Sequence, residues 1–501
     1  MSSIDASPVA GPLRSFFEIA RNHPDTVAIV LGDQEWTYAH LSIEVTGLAA
    51  GLRDAGIRKG DRIVTLAKTS PAAAVFMLAS VMAGAIIVPL KKELTVVELR
   101  EFFLRLSPSM VFHDIDMSDA LADLELGGPC RTVTSAAEGI TSWKTLVKAS
   151  TSTEFTVDLD AECVLLATSG TTGIPKLVAY SQRAIHHLVG SMEQWEAGPG
   201  MVLMANSPVA HVSGTMILFV GLSTGCTLVM LDGATVDHAL DAVERYGVQA
   251  MFVVPFICPL MVDAQRRQPR NIASLKICGI GGDACRSEVA REFEQVFNVR
   301  LRNTYGMTEC LGSMNLGDSW DDMIPKPGRT RLVDTGGNAV ARGMIGELQM
   351  RGANTSLGYW EAPGLIRGHL TEDGWLATGD QMREEDDGTL RFVSRSKDMI
   401  LRDGFNISPT AVENRLLEHP LVADVAVVGM PDDRRGQLVV AAVKLVADAG
   451  QDALSTVMTW LNTQLGAFHL PDRLHVVDSL PRNAMGKVLR HEVARTLSLM
   501  V

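Results

Sequence analysis

The sequence predicts an α/β protein. A large N-terminal region of parallel sheets with flanking helices, carrying a small β subdomain, is followed by a small α+β C-terminal domain. Three observations predict this. Apolar runs of strand length alternate with helical periods up to about residue 310, the pattern of parallel strands joined by crossover helices. After about 330 the runs shorten into strands between turns. From 396 the chain reads as short α+β, so a boundary falls near 395 and the domains are 1–395 and 396–501.

In chain order, an amphipathic helix begins at Phe16 and a strand covers Val27 to Leu31. Leu41 to Ala55 has helical period, Arg62 to Leu66 is a strand, Pro71 to Ala83 a helix and Ala85 to Leu90 a strand. Further strands fall near 163–167, 202–206, 227–231, 250–254 and 276–280, then at 346–350 and 389–393. The C-terminal part holds strands at 425–428 and 438–443 and helices at 410–418 and 452–465. The charged, glycine-punctuated block 395–404 suits either a hinge or a solvated turn.

Composition narrows the class. The 501 residues carry a net charge of −13 with no long basic run, which argues against nucleic acid as the main partner. Hydrophobic residues make up 47%, as in a globular chain. Seven cysteines form no C-x-x-C pair and read as free buried thiols in a reducing compartment. No signal-peptide pattern and no run of membrane-spanning length is seen, so the expectation is a cytoplasmic enzyme without a membrane span.

The most informative stretch is Thr168-Ser169-Gly170-Thr171-Thr172-Gly173-Ile174-Pro175-Lys176, directly after the apolar run 163–167. Glycines let backbone N–H groups approach an anion, the hydroxyls add donors, and Lys176 adds positive charge. This is a phosphate cradle, but not a Walker loop, because Pro175 and Leu177 stand where that pattern needs Gly and Ser or Thr.

Four more strings follow in order: Asn303-Thr304-Tyr305-Gly306-Met307-Thr308-Glu309, Gly374-Trp375-Leu376-Ala377-Thr378-Gly379-Asp380, Arg395-Ser396-Lys397-Asp398 with Gly404, and Pro481-Arg482-Asn483-Ala484-Met485-Gly486-Lys487 running on to Arg490. Together with the cradle they resemble the acyl- and aryl-adenylating superfamily: acyl-CoA synthetases, luciferases and peptide-synthetase adenylation domains. The resemblance covers nearly the whole chain. Leu177 departs from the family's usual glycine, and Lys91-Lys92 from its Asn-Pro or Asp-Pro.

The resemblance implies a carboxylate attacking the α-phosphorus of ATP to give an acyl-adenylate and pyrophosphate, then transfer to a thiol. The acceptor is coenzyme A or, alternatively, carrier-protein phosphopantetheine; an acyl carrier protein is then a partner. In this reading Thr168 to Gly173 and Lys176 cradle the phosphates, Glu309 holds Mg²⁺, and Thr308 bonds the α-phosphate. Asn303, Tyr305 and Gly306 bind ATP, with Tyr305 stacking on adenine or simply packing in the core. Asp380 accepts the ribose hydroxyls, Arg395 holds ribose or phosphate, and Lys487 neutralises charge in the transition state. Lys397 is the hinge about which a mobile C-terminal domain rearranges one site for two half-reactions. Trp360 and Trp375 read as packing.

The acyl pocket is implied at His211, Ser213, Gly214, Gly279, Gly281, Gly282 and Asp283, with His211 equally read as a cap. Val212 stands where amino-acid-activating relatives have an amine-binding Asp, which disfavours α-amino acids. The small residues imply room for a bulky or elongated acid. Asp283 either caps the helix beginning near Ser287 or meets a polar substrate group. Lys91 and Lys92 are candidates for a CoA phosphate.

Overall fold

A computed structural model describes residues 11–122, 124, 130–149, 158–168, 175–231, 235–283, 285–312, 314–403, 405–432, 434–450, 452–465, 470–483 and 486–499. Two sheets dominate. One has eight strands, ordered Leu365–Arg367, Gly358–Ala362, Leu177–Ser181, Glu162–Ala167, Ile86–Pro89, Arg62–Leu66, Met110–His113 and Arg131–Thr134. The other has seven, ordered Leu301–Asn303, Ile277–Ile280, Ala250–Val253, Val202–Ala205, Thr227–Met230, Val27–Leu31 and Gln34–Thr37. The strands expected in these two sheets are present to within a residue or two at each end, whereas the one expected at 425–428 in the C-terminal part extends over Val422–Asp432.

The layering follows from strand alternation. Ile63, Ile87, Val164 and Val178 of the first sheet share one core with Ile29, Leu203 and Leu228 of the second. Their neighbours Val64, Leu66, Val88 and Leu165 face outward onto Leu99, Phe102 and Leu106. Met204, Val229 and Met251 likewise face an outer helix layer containing Leu240, Met261 and Phe293. Helices Pro71–Met82 and Val212–Thr224 lie in the shared core and are apolar nearly all round, as a helix enclosed between two sheets must be. Ser70 starts the first of them by accepting from Ala73 N, with Pro71 in the opening turn.

Most neighbours in both sheets are parallel, as the alternation predicts. The strand Leu177–Ser181 is the exception that matters. It runs antiparallel to Glu162–Ala167 on one side and to Gly358–Ala362 on the other. The phosphate-cradle segment therefore joins two antiparallel strands, whereas a Walker loop leads from strand to helix. A six-stranded antiparallel sheet over Met314–Arg395 adds a small β unit with its own core of Leu348, Met350, Leu376 and Met382.

From Ile400 onward the strands form a separate five-stranded sheet. Helices Pro409–Leu417 and Ala453–Gln464 cover one face through Val412, Leu416, Val457 and Leu461. Helix Arg490–Ser498 covers the other through Val493 and Leu497. Among the described residues no helix is long and apolar enough to cross a membrane. All seven cysteines are free thiols, five of them buried and Cys130 and Cys285 partly exposed.

Gly358 carries the bend that admits its strand to the sheet. Its φ is +138°, and a Cβ there would lie 2.5 Å from the Arg367 carbonyl oxygen. Gly358→Ala is expected to cost about 1–3 kcal/mol from strain and overpacking. A denaturant midpoint unchanged from that of the parent protein would refute this account of the strand.

Candidate active site

Thr168, Gly281 and Thr304 each directly follow the carboxyl end of a strand of the two large sheets, the usual place for a ligand in α/β sheets, while Asp380 and Arg395 come from the six-stranded sheet. Thr168 N donates to the Lys176 carbonyl at 2.9 Å and Lys176 N to Thr168 Oγ1 at 3.3 Å, which closes the base of the cradle. Ser169, Gly170, Thr171, Thr172 and Gly173 lie outside the described residues, as does Gly404.

The segment after Leu301–Asn303 is pinned at each step. Asn303 Nδ2 donates to the Trp320 carbonyl at 3.0 Å, and Thr304 donates to the Ile280 carbonyl from both N and Oγ1. Met307 and Cys310 exchange backbone hydrogen bonds at 3.1 Å, making a tight turn with Thr308 and Glu309 at its tip. The buried Tyr180 hydroxyl holds that turn by donating to the Thr308 carbonyl at 2.8 Å. Gly306 lies against Leu311, with room for a Cβ only at 3.3 Å.

Asp380 is 1% exposed. The Tyr305 hydroxyl donates to its Oδ2 at 2.6 Å. Arg395 Nε lies 2.8 Å from Oδ1 without the alignment of a hydrogen bond, so that oxygen is charge-compensated but lacks a donor among the described residues. Burial, and then the Asp380 charge, push the Tyr305 phenol well above its usual range. Tyr305 is thus tied to the ribose candidate through its hydroxyl, while its ring packs at the edge of the β-unit core.

Glu309 is 9% exposed. The Tyr359 hydroxyl donates to its Oε1 at 2.9 Å, leaving Oε2 without a donor among the described residues. A buried carboxylate with one oxygen fixed and one open is a suitable hard donor for Mg²⁺. Tyr359 also receives the Lys176 ammonium 4.5 Å from its ring centroid. The sequence reading missed Tyr359 and Tyr180. Their only signal was a Gly-Tyr pair and a tyrosine on an apolar strand, neither diagnostic alone.

Lys397 is exposed on the short turn Ser396–Asp398, directly after Arg395. Lys487 is exposed and sits on a loop closed by Lys487 N donating to Asn483 Oδ1 at 3.0 Å. That loop touches the N-terminal region: Gly486 has φ +76°, and a Cβ there would meet the Phe256 ring at 2.2 Å. Arg490 is clamped by Glu413 through both carboxylate oxygens and by the Val427 carbonyl, and it feels the charge of Asp283 across from the seven-stranded sheet.

The acyl-pocket expectations need correction. Gly214 packs its helix onto Pro208, whose carbonyl oxygen a Cβ would strike at 2.0 Å. A Cβ on Gly279 would meet the Phe252 and Trp195 rings at 2.6 and 2.8 Å, and one on Gly281 would meet Thr304 Oγ1 at 2.4 Å. Neighbouring groups occupy the space a side chain would take at these three positions, so their small size is not by itself a sign of room for a substrate. Gly282 has φ +84°, which favours glycine for its backbone. Asp283 is not the cap residue of helix Ser287–Phe297; Arg286 occupies that position. Lys92 is bound to Asp114 and Asp116 at 2.9 and 2.8 Å, so a phosphate role for it is withdrawn. Trp360 and Trp375 are buried as expected, Trp375 lying 4.3 Å from both Arg331 and Arg351.

His211 is the cap residue of helix Val212–Thr224: its Nδ1 accepts from Ser213 N at 3.3 Å and sits 2.7 Å from Ser213 Oγ. Ser213 Oγ in turn lies 2.6 Å from Ser207 Oγ. With Nδ1 accepting, the neutral ring carries its proton on Nε2.

The chain belongs to the AMP-binding enzyme family, which matches residues 16–360, and the AMP-binding enzyme C-terminal domain matches 411–487. It is 29% identical over 493 residues to a feruloyl-CoA synthase from Amycolatopsis sp, covering 95% of this chain and 97% of that protein. It is 28% identical over 496 residues to the fatty acid–[acyl-carrier-protein] ligase ScoC of Streptomyces coeruleorubidus, covering 95% and 94%. The crystal structure of ATP-bound MatB from Rhodopseudomonas palustris superposes with a TM-score of 0.86 at 25% identity, covering 98% of this chain and all of that one. The protein is an AMP-forming acid–thiol ligase that binds ATP and activates a carboxylic acid as its acyl-adenylate.

Burial first, and then the Lys91 charge, hold His211 below the ordinary histidine value of 6.5. The neutral ring is therefore undisturbed above pH 6.5, and the cost of charging it appears as pH falls below that value. An NMR titration should place its midpoint below 6.5, and Lys91→Ala should raise it toward 6.5. A midpoint that does not move would disconnect Lys91 from His211.

Proposed function

We propose that this ligase activates a non-amino carboxylic acid of aryl size and transfers it to coenzyme A in the cytoplasm. The observation that carries the nucleotide half is Asp380: a buried carboxylate, oriented by Tyr305 and Arg395, keeps one oxygen in need of a donor. A ribose hydroxyl supplies that donor. Thr168 to Gly173 and Lys176 hold the phosphates, Asn303, Tyr305 and Gly306 bound the base, and Thr308 bonds the α-phosphate. Glu309 holds Mg²⁺, which neutralises phosphate charge when bound. The acid carboxylate, held near His211, is aligned with the α-phosphorus, and Lys487 stabilises the charge that builds as the bond forms.

Two observations support an aryl acid. Trp195 and Phe252 form a tilted aromatic pair, 4.9 Å between centroids, over Gly279. The feruloyl-CoA synthase relative is named for an aryl acid. Val212 in place of an acidic residue removes the partner an α-amine would need. Acid-dependent ATP–pyrophosphate exchange across a panel of aryl, fatty and amino acids tests this. Aryl acids should be the best substrates, and preference for long-chain or α-amino acids would overturn the assignment.

The C-terminal domain, 396–501, is proposed to turn about Lys397 between adenylation and thiol transfer. Lys487→Ala should then slow adenylation by on the order of 10²–10³ while sparing thioester formation from supplied acyl-adenylate. Equal loss in both half-reactions would make Lys487 structural. The similarity to ScoC favours a second reading, transfer to a carrier-protein phosphopantetheine. Parallel assays with coenzyme A and with phosphopantetheinylated carrier protein separate the two acceptors.

A further inference from the structure

Tyr359 touches two parts of the phosphate site that come from distant stretches of sequence. Its strand pairs with the strand that leaves the cradle, in the register Tyr359 with Val178 and Trp360 with Leu177. That register puts Tyr359 beside the cradle's last residues, and Lys176 Nζ lies 4.5 Å from its ring centroid. The tyrosine hydroxyl donates to Glu309 Oε1 at 2.9 Å. Ser356, three residues before Tyr359, donates its backbone N–H to the Glu309 carbonyl at 2.9 Å. The segment 356–359 thus grips Glu309 by main chain and side chain together. The strand itself does not need the hydroxyl, because its backbone pairing and the buried Trp360 already fix it.

We infer that Tyr359 is a positioning residue for the metal–nucleotide complex, its hydroxyl fixing the Glu309 carboxylate and its ring seating Lys176 beside it. This rests on Glu309 being the Mg²⁺ ligand. An unconstrained glutamate side chain samples several rotamers, and each metal encounter then carries the cost of ordering it. A donor on Oε1 fixes the carboxylate beforehand and leaves Oε2 for the ion. The aromatic face meanwhile keeps the Lys176 ammonium close to the same phosphates through a cation–π contact.

The test is equilibrium binding of ATP, with no acid present, in Mg²⁺ and in EDTA. The readout is the ratio of the two dissociation constants. Tyr359→Phe keeps the ring and removes the hydroxyl. It should cut the Mg²⁺ enhancement about tenfold, the size of one hydrogen bond to a charged group, while leaving the affinity in EDTA and the melting temperature close to the parent's. Tyr359→Leu should in addition weaken binding in EDTA, because Lys176 loses its seat. Glu309→Gln is the reference and should abolish the enhancement. If Glu309→Gln abolishes it and Tyr359→Phe leaves it intact, the positioning role is wrong and the metal reading survives. If Glu309→Gln itself leaves the enhancement intact, the metal reading fails and this inference with it.

Discussion

The antiparallel strand Leu177–Ser181 is the constraint on which the site depends. All five of its residues are buried, and both of its edges are hydrogen-bonded. Buried backbone groups must be paired, so neither neighbour can slip without leaving donors and acceptors unmatched. A slip of one residue would also exchange the two faces. In the observed register Leu177, Ala179 and Trp360 face the outer helix layer, while Val178 and Tyr180 face the inner one. Tyr180 reaches Thr308 from the inner face, and Tyr359, adjacent to Trp360, meets Glu309 and Lys176. One strand therefore sets the cradle, the α-phosphate candidate and the metal candidate in a single frame.

The charges around that frame are divided by task. Two buried carboxylates would repel a polyphosphate if both were left bare. Asp380 is compensated by Arg395 and bonded by a phenol, which suits it to accept neutral hydroxyls. Glu309 has a phenol on one oxygen, and its remaining oxygen suits a cation. Lys176, Arg395 and Lys487 remain partly or fully exposed, so their charges are available to an anion arriving from solvent. The same division explains the tyrosines: each fixes a carboxylate without adding charge.

Much of this was legible in the sequence. Alternating apolar runs disclosed the parallel strands, because a strand covered on both faces is apolar throughout. The motif strings carried Glu309, Asp380 and Lys487. The strand Leu376–Glu384 was harder to read. Its buried face holds Thr378 and Asp380 between Leu376 and Met382, so polar residues interrupt the apolar alternation where function needs them. The acyl pocket misled for a related reason. A glycine implies space only if nothing occupies the direction of its missing Cβ, and at Gly279 and Gly281 two aromatic rings and a threonine occupy it. Tyr359 was invisible because its role depends on strand pairing across some 180 residues, which no local pattern encodes.

The Lys487 loop bears on the proposed rearrangement of one site for two half-reactions. Within its own domain the loop is held firmly: Arg490 is bound to Glu413 and Val427, and Arg482 donates to the Gly486 carbonyl at 2.6 Å. Its seat on the N-terminal region is of a different kind. Gly486 lies against the Phe256 ring, and Arg490 feels the charge of Asp283. Apolar contact is non-directional and charge acts over distance, so neither of these two contacts demands the fixed geometry of a directional network. A loop held this firmly within its own domain would move with that domain as a unit. The proposed turn about Lys397 would then withdraw Lys487 whole and leave the cradle, Glu309 and Asp380 undisturbed, since all three are fixed by strands of the N-terminal region.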